Sequence, residues 1–179
     1  MCEAVPSELS KEMLGFHLPR YEEIPNVGLY LEQTAKYINE YIAPLQEAEI
    51  TGSMISNYVK KKLVANPIKK QYNRDQIASL LFISLMKSVL SLDNLGVLLT
   101  LQEKEFHNSQ LAYNYFCTEL EQILRHVFGA EESIDALPAG ASQAQMLLHN
   151  ANITVAHKIY LNKSFAVLQQ RQDSAESGS

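Results

Sequence analysis

Apolar residues along this chain recur mostly at spacings of three and four, and alternation with period two is scarce. That periodicity predicts helices. Leu31, Ala35, Ile38, Ile42 and Leu45 mark a first helix over about 27–43, with Asn26 as its cap and Tyr30, Tyr37 and Tyr41 widening the stripe. Met54, Ile55, Tyr58 and Val59 line one side of a short second helix over 52–62, preceded by Thr51 as N-cap. Residues 63–73 contain Pro67 and read as a loop or a minimal hairpin. A third helix starts after Asn73 and runs to about Leu90. It is apolar nearly all round, from Ile77 through Leu80, Leu81, Phe82, Ile83 and Leu85 to Val89, which is the pattern of a central, fully packed helix. Ser91 caps a fourth helix reaching about Leu101, with Asp93 favouring its positive end. A fifth covers about 102–128, with Tyr113, Phe116, Cys117, Leu120, Leu124 and Val127 on one face and Gly129 as a stop. Pro138 and Gly140 mark a linker over 130–141, and a last helix runs from about Ser142 to Gln170.

The ends follow different rules. Pro6, Pro19 and Pro25 punctuate residues 1–26, an irregular N-terminal extension in which SELSKEM can start a short helix capped by Ser7 or Ser10. The small polar residues of 171–179 read as a disordered tail. The expected organisation is an extension over 1–26, a first helical domain over 27–101, a helical C-terminal region over 102–170 for oligomerisation or for binding a ligand or partner, and the tail.

Charge changes this picture most. Residues 50–90 hold seven cations (Lys60, Lys61, Lys62, Lys69, Lys70, Arg74 and Lys87) against one carboxylate, Asp75, a surplus of six in a chain of net charge −5. Residues 1–49 hold 3 Lys/Arg against 9 Asp/Glu, and residues 91–179 hold 5 against 10. Solubility does not require a basic island in an acidic chain, whereas binding a polyanion does. Its layout is a capped short helix with a basic end, a short basic turn, then a buried helix. Recognition helices that enter the major groove are short, polar outward and apolar inward. Ser53, Ser56, Asn57, Lys60 and Lys61 are the outward candidates. Asn57 can read adenine, and lysines can contact guanine or phosphate. Lys62 extends the run, while Lys69, Lys70 and Arg74 would grip the backbone. Tyr72 and Tyr58 are the tyrosines to watch for stacking on bases.

Other chemistries find less support. His17, His107, His126, His149 and His157 lack metal-ligand spacing, so no metal and no cofactor is expected. No Ser-His-Asp order, glycine-rich phosphate loop or metal triad stands out, so no enzyme is expected. Cys117 reads as a core thiol. Cys2 and Cys117 have no paired spacing. With no apolar leader and no apolar run near 18 residues, they point to a reducing cytoplasm and no membrane partner.

Tyr58, Leu63–Val64, Pro67, Tyr72, the helix Ile77–Leu90 and Ser91-Leu92-Asp93-Asn94-Leu95 follow an order that resembles the winged helix-turn-helix of MerR-type transcription regulators. That resemblance covers about 50–101. The wing between Pro67 and Tyr72 is shorter and lacks the family's glycine, and two helices replace a single dimerisation helix. More closely, the opening Leu18–Pro25 and the core Ile50–Lys60 resemble an uncharacterised family of cytoplasmic proteins from low-GC Gram-positive bacteria, over roughly 18–165. The resemblances imply a mainly all-α fold, with a minimal-wing helix-turn-helix and two long C-terminal helices. They also imply a regulator that binds double-stranded DNA, commonly as a homodimer. The alternative is a helical module that has lost DNA binding and takes a protein partner or a small-molecule effector.

Overall fold

The computed structural model describes residues 7–177, so Cys2 and the expectations drawn from the first six residues lie outside it. The described chain is mainly α-helical, with seven helices and one two-stranded sheet. In order these are α1 (Ser7–Leu14), β1 (Leu29–Tyr30), α2 (Leu31–Ile42), α3 (Gly52–Lys60), β2 (Gln71–Tyr72), α4 (Arg74–Met86), α5 (Leu92–Phe106), α6 (Ser109–Val127) and α7 (Gln143–Ser177). The strands pair antiparallel, Leu29 opposite Tyr72 and Tyr30 opposite Gln71.

α4 is central because no side of it can face water. Ile77, Leu80, Leu81, Ile83, Leu85 and Met86 are fully buried, and α2, α6 and α7 pack around it. Burial of each such side chain contributes roughly 1.5–3 kcal/mol. Its start is specified locally. The Asn73 side chain accepts from Gln76 N at 3.0 Å, and the Gln76 side chain accepts from Asn73 N at 2.7 Å, a reciprocal capping box. The buried Ser84 hydroxyl donates to Leu80 O at 2.7 Å and leaves no orphan in the core. One buried cluster runs from Met13 to Ile159, so residues 27–101 and 102–170 share a core.

Several expected helix boundaries need correction. The first helix begins at Leu31, not near Val27, because Leu29–Tyr30 is drawn into the sheet. Tyr30 is therefore exposed and Asn26 caps nothing. The fifth helix does not run through 102–128. α5 continues to Phe106, His107 turns left-handed at φ 50°, and Asn108 caps α6 by accepting from Leu111 N at 3.1 Å. The last helix does not stop at Gln170. Residues 171–177 continue α7 where a disordered tail was expected, since Arg, Gln, Ala and Glu extend an already formed helix at little cost.

The extension is also more than a loose lead-in. Met13, Phe16, Leu18 and Ile24 are buried. Glu121, itself buried, accepts from both Arg20 guanidinium nitrogens at 2.6 and 2.7 Å and from Leu18 N at 2.8 Å. That carboxylate raises the Arg20 pKa, and the strap from His17 to Ile24 is held across α6.

Candidate nucleic-acid interface

The basic island forms two structures carried on α2. The first is α3. Thr51 Oγ1 accepts from Met54 N at 3.2 Å and fixes its start. The turn that delivers it from α2 is closed by one side chain: Asn39 donates to Ile50 O at 2.9 Å and accepts from Ile50 N at 2.8 Å. Gly52 allows the approach, since a Cβ there would sit 2.6 Å from Glu32 Oε1 and 3.2 Å from Leu31. Ile55 and Tyr58 point into the core, while Ser53, Ser56, Asn57, Lys60 and Lys61 are exposed.

The end of α3 departs from what stability prefers. Lys62 N donates to Val59 O at 2.9 Å and Leu63 N to Tyr58 O at 3.0 Å, the bond pair of a Schellman motif. That motif needs a left-handed residue, which is usually glycine; here it is Lys62, at φ 60°.

The second structure is the connection to α4. Gln76 Nε2 donates to Ala65 O at 2.9 Å and Asn66 O at 3.0 Å, tying the loop to the first turn of α4. Beyond Pro67, Ile68 and Gln71 exchange backbone bonds of 3.1 and 2.9 Å around a two-residue turn. Its central residues, Lys69 and Lys70, both have positive φ, 51° and 64°. Such turns favour Asn-Gly because both positions are left-handed. Gly28 lets β1 lie against this hairpin, since a Cβ there would meet the Gln71 Cβ at 2.7 Å.

Two expected contacts are relocated. Tyr72 is buried in the core, as is Tyr58, and burial raises both hydroxyl pKa values; neither ring is available to stack on a base. Arg74 faces the strap: its Nε donates to Ile24 O at 2.9 Å and its guanidinium lies 5.4 Å from the Tyr21 ring centre. The first turn of α4 is where strap and helix meet, so this cation is already engaged within the fold. Lys87 donates to Ala48 O at 3.4 Å, and burial lowers its pKa.

The rest of the island is uncommitted. Lys60, Lys61, Lys62, Lys69 and Lys70 are exposed and make no side-chain hydrogen bond or ion pair among the described residues. Elsewhere Lys158 pairs with Glu47 at 2.8 Å, Lys163 with Glu12 at 2.8 Å, and Arg125 with Glu131, while Lys11, Lys36 and Lys104 are exposed and unpaired among the described residues but lie scattered rather than clustered. Sequence reasoning overlooked Asn39 and Gln76, which set the two pieces. Gln76 was findable from Asn73-x-x-Gln76, a capping-box spacing. Asn39 had no signal, because its partner is 11 residues away in an irregular turn.

Other chemistry is sparse among the described residues. No group of three or more His, Cys, Asp or Glu is placed to hold a metal ion. No helix is long and apolar enough to cross a membrane. Cys117 is buried, and desolvation pushes its thiol pKa up to about 12.

Fold and surface together define a mainly α-helical protein with an unpaired basic edge. Residues 19–123 match the family described as Domain of unknown function (DUF1836), and the chain belongs to that family. The match runs from the strap to near the end of α6 and stops before α7. No curated protein and no solved structure matches the chain.

Proposed function

We propose that this protein binds double-stranded DNA as a transcription regulator of the winged helix-turn-helix kind. In this reading α3 enters the major groove, and the Lys69–Lys70 hairpin serves as a minimal, MerR-like wing. The observation that carries the reading is the placement of three lysines. Lys62, Lys69 and Lys70 occupy left-handed backbone positions where glycine or asparagine is more stable, and all three are exposed and unpaired. Strain retained at a charged surface points to a function for that surface. Ser53, Ser56 and Asn57 supply polar groups for base edges, and Lys60 and Lys61 supply further phosphate contacts. The role is non-enzymatic and cytoplasmic.

Fluorescence anisotropy with duplex DNA over a salt series tests this. Five phosphate contacts give log K against log salt a slope near −4.5, from about −0.9 per phosphate. The Lys61→Glu/Lys69→Glu protein should lose binding while keeping its circular dichroism and melting temperature. Absence of binding at low salt, or binding indifferent to salt, rejects the proposal.

A homodimer is part of the reading, since two half-sites are commonly met by two copies. Leu161, Phe165 and Leu168 are exposed on α7 at helical spacings of four and three, suited to a second copy of the helix. Light scattering should report a dimer, converted to a monomer by Phe165→Glu. A Phe165→Glu protein that stays dimeric removes this stripe from the interface. The same stripe favours the second reading, a helical module for another protein. That reading requires function to survive the lysine double substitution.

A further inference from the structure

A cavity of about 660 Å³ opens between α4, α5, α6 and the segment that follows α3. Its apolar lining includes Phe82, Leu99, Tyr113 and Phe116, with Phe82 and Phe116 edge-to-face at 5.0 Å. Gln102 borders the same space. It is only 6 % exposed, yet its side-chain amide makes no hydrogen bond among the described residues. The Tyr113 hydroxyl, on the same lining, is buried without a hydrogen-bond partner among the described residues. No neighbouring helix engages the Gln102 amide, which leaves it free to meet an occupant of the cavity.

The chemistry of the occupant follows from three features. Volume and aromatic lining suit one small flat molecule. A glutamine amide presents a donor and an acceptor side by side, which pairs with a heterocycle edge carrying an adjacent N–H and C=O. The lining carries two carboxylates, Asp75 and Glu103, against one ammonium, Lys62, and one imidazole, His107, a balance that gives an anion no net attraction.

We propose that this cavity is a binding site for an uncharged heteroaromatic molecule with a lactam- or nucleobase-like edge, held by Gln102 against the apolar wall of the cavity. The cavity also abuts Lys62 and Leu63, the residues that close α3. Occupancy therefore bears on the basic edge and tunes DNA affinity. This coupling, unlike the binding itself, rests on the nucleic-acid reading above.

Isothermal titration of the full chain, without DNA, tests the site with three probes: 2-quinolone, its N-methyl derivative and its 4-carboxylate. 2-Quinolone is expected to bind with a dissociation constant on the order of 1 mM or tighter. The N-methyl compound lacks the donor edge and should bind at least about tenfold more weakly, as should the carboxylate. Gln102→Leu keeps the volume and removes an unpaired polar group, so it should melt no lower than the wild type while losing the preference for 2-quinolone over its N-methyl derivative. Glu103→Gln, at an exposed position, should raise affinity for the carboxylate severalfold. No binding by any probe, a preference for the carboxylate, or unchanged discrimination in Gln102→Leu overturns the site. For the coupling, saturating 2-quinolone should change duplex affinity at least about threefold in the wild type and not in Gln102→Leu. Unchanged duplex affinity removes the coupling and leaves the site. A protein that binds 2-quinolone but no DNA at any salt rejects the regulator reading alone.

Discussion

Replacing Lys69-Lys70 by Asn-Gly separates the two roles of the hairpin tip. Both lysines sit at positive φ, 51° and 64°. A residue other than glycine, asparagine or aspartate held there costs roughly 1 kcal/mol, so relief at both positions is about 2 kcal/mol. Glycine returns up to about 1 kcal/mol through its freedom in the unfolded chain. The net gain is about 1 kcal/mol, or roughly 2–4 °C in melting temperature for a chain of this size. Removing two phosphate contacts lowers the magnitude of the salt slope by about 1.8. Between about 50 and 200 mM salt, the variant should therefore lose roughly tenfold less affinity than the wild type. Thermal unfolding and anisotropy titrations read the two effects independently. Lys69→Gln/Lys70→Gln is the control: it removes the charges and keeps the strain, so it should reproduce the slope without the gain in stability. A melting temperature that falls in the Asn-Gly variant refutes the strain argument. A slope unchanged in both variants removes the hairpin from the DNA contact.

Three further outcomes follow from the same geometry. Arg20→Ala leaves the Glu121 carboxylate, 6 % exposed at its side chain, with Leu18 N, a 3.7 Å approach from His17 and a 4.0 Å approach from Arg125, and should destabilise by about 3 kcal/mol in a denaturant titration; an effect below about 1 kcal/mol would mean the strap is not held by this pair. Gln76→Leu strips hydrogen bonds from Ala65 O, Asn66 O and Asn73 N. It should cost about 2–3 kcal/mol and speed amide exchange over 65–72; protection unchanged there would show that the loop is held otherwise. Alkali should unfold the protein. Burial, then a hydrogen bond to Asp75, raise Tyr21 from 10.0 to about 12, and burial raises Tyr37, Tyr58, Tyr72, Tyr113 and Tyr115. Above pH 10 the unfolded chain binds fewer protons than the folded one, so this contribution is intact below pH 10 and is lost as pH rises toward 12. A melting temperature flat from pH 9 to 11.5 would contradict these shifts.

Local rules carried much of the fold. The apolar circumference of α4 required a central position, and Thr51, Asn73 and Ser91 each mark a helix start because a cap acts over three residues. The charge imbalance of residues 50–90 was likewise visible without coordinates, since it depends on composition alone. Contacts between distant segments were not visible in this way. β1 is two residues long and exists because Gln71–Tyr72 lies beside it, so the start of α2 depends on residues about 40 positions away. Arg74 and Lys69 look equivalent as cations in a string of letters. Only the tertiary structure turns one toward Ile24 O and leaves the other exposed at a turn. Left-handed backbone at Lys62, Lys69 and Lys70 is also a tertiary outcome, because intrinsic preference opposes it and the packing of α3 and the pairing of β2 impose it. The same division explains the cavity. Gln102 lies at an ordinary helical position by sequence, and its unpartnered amide appears only when α4, α5 and α6 close around it.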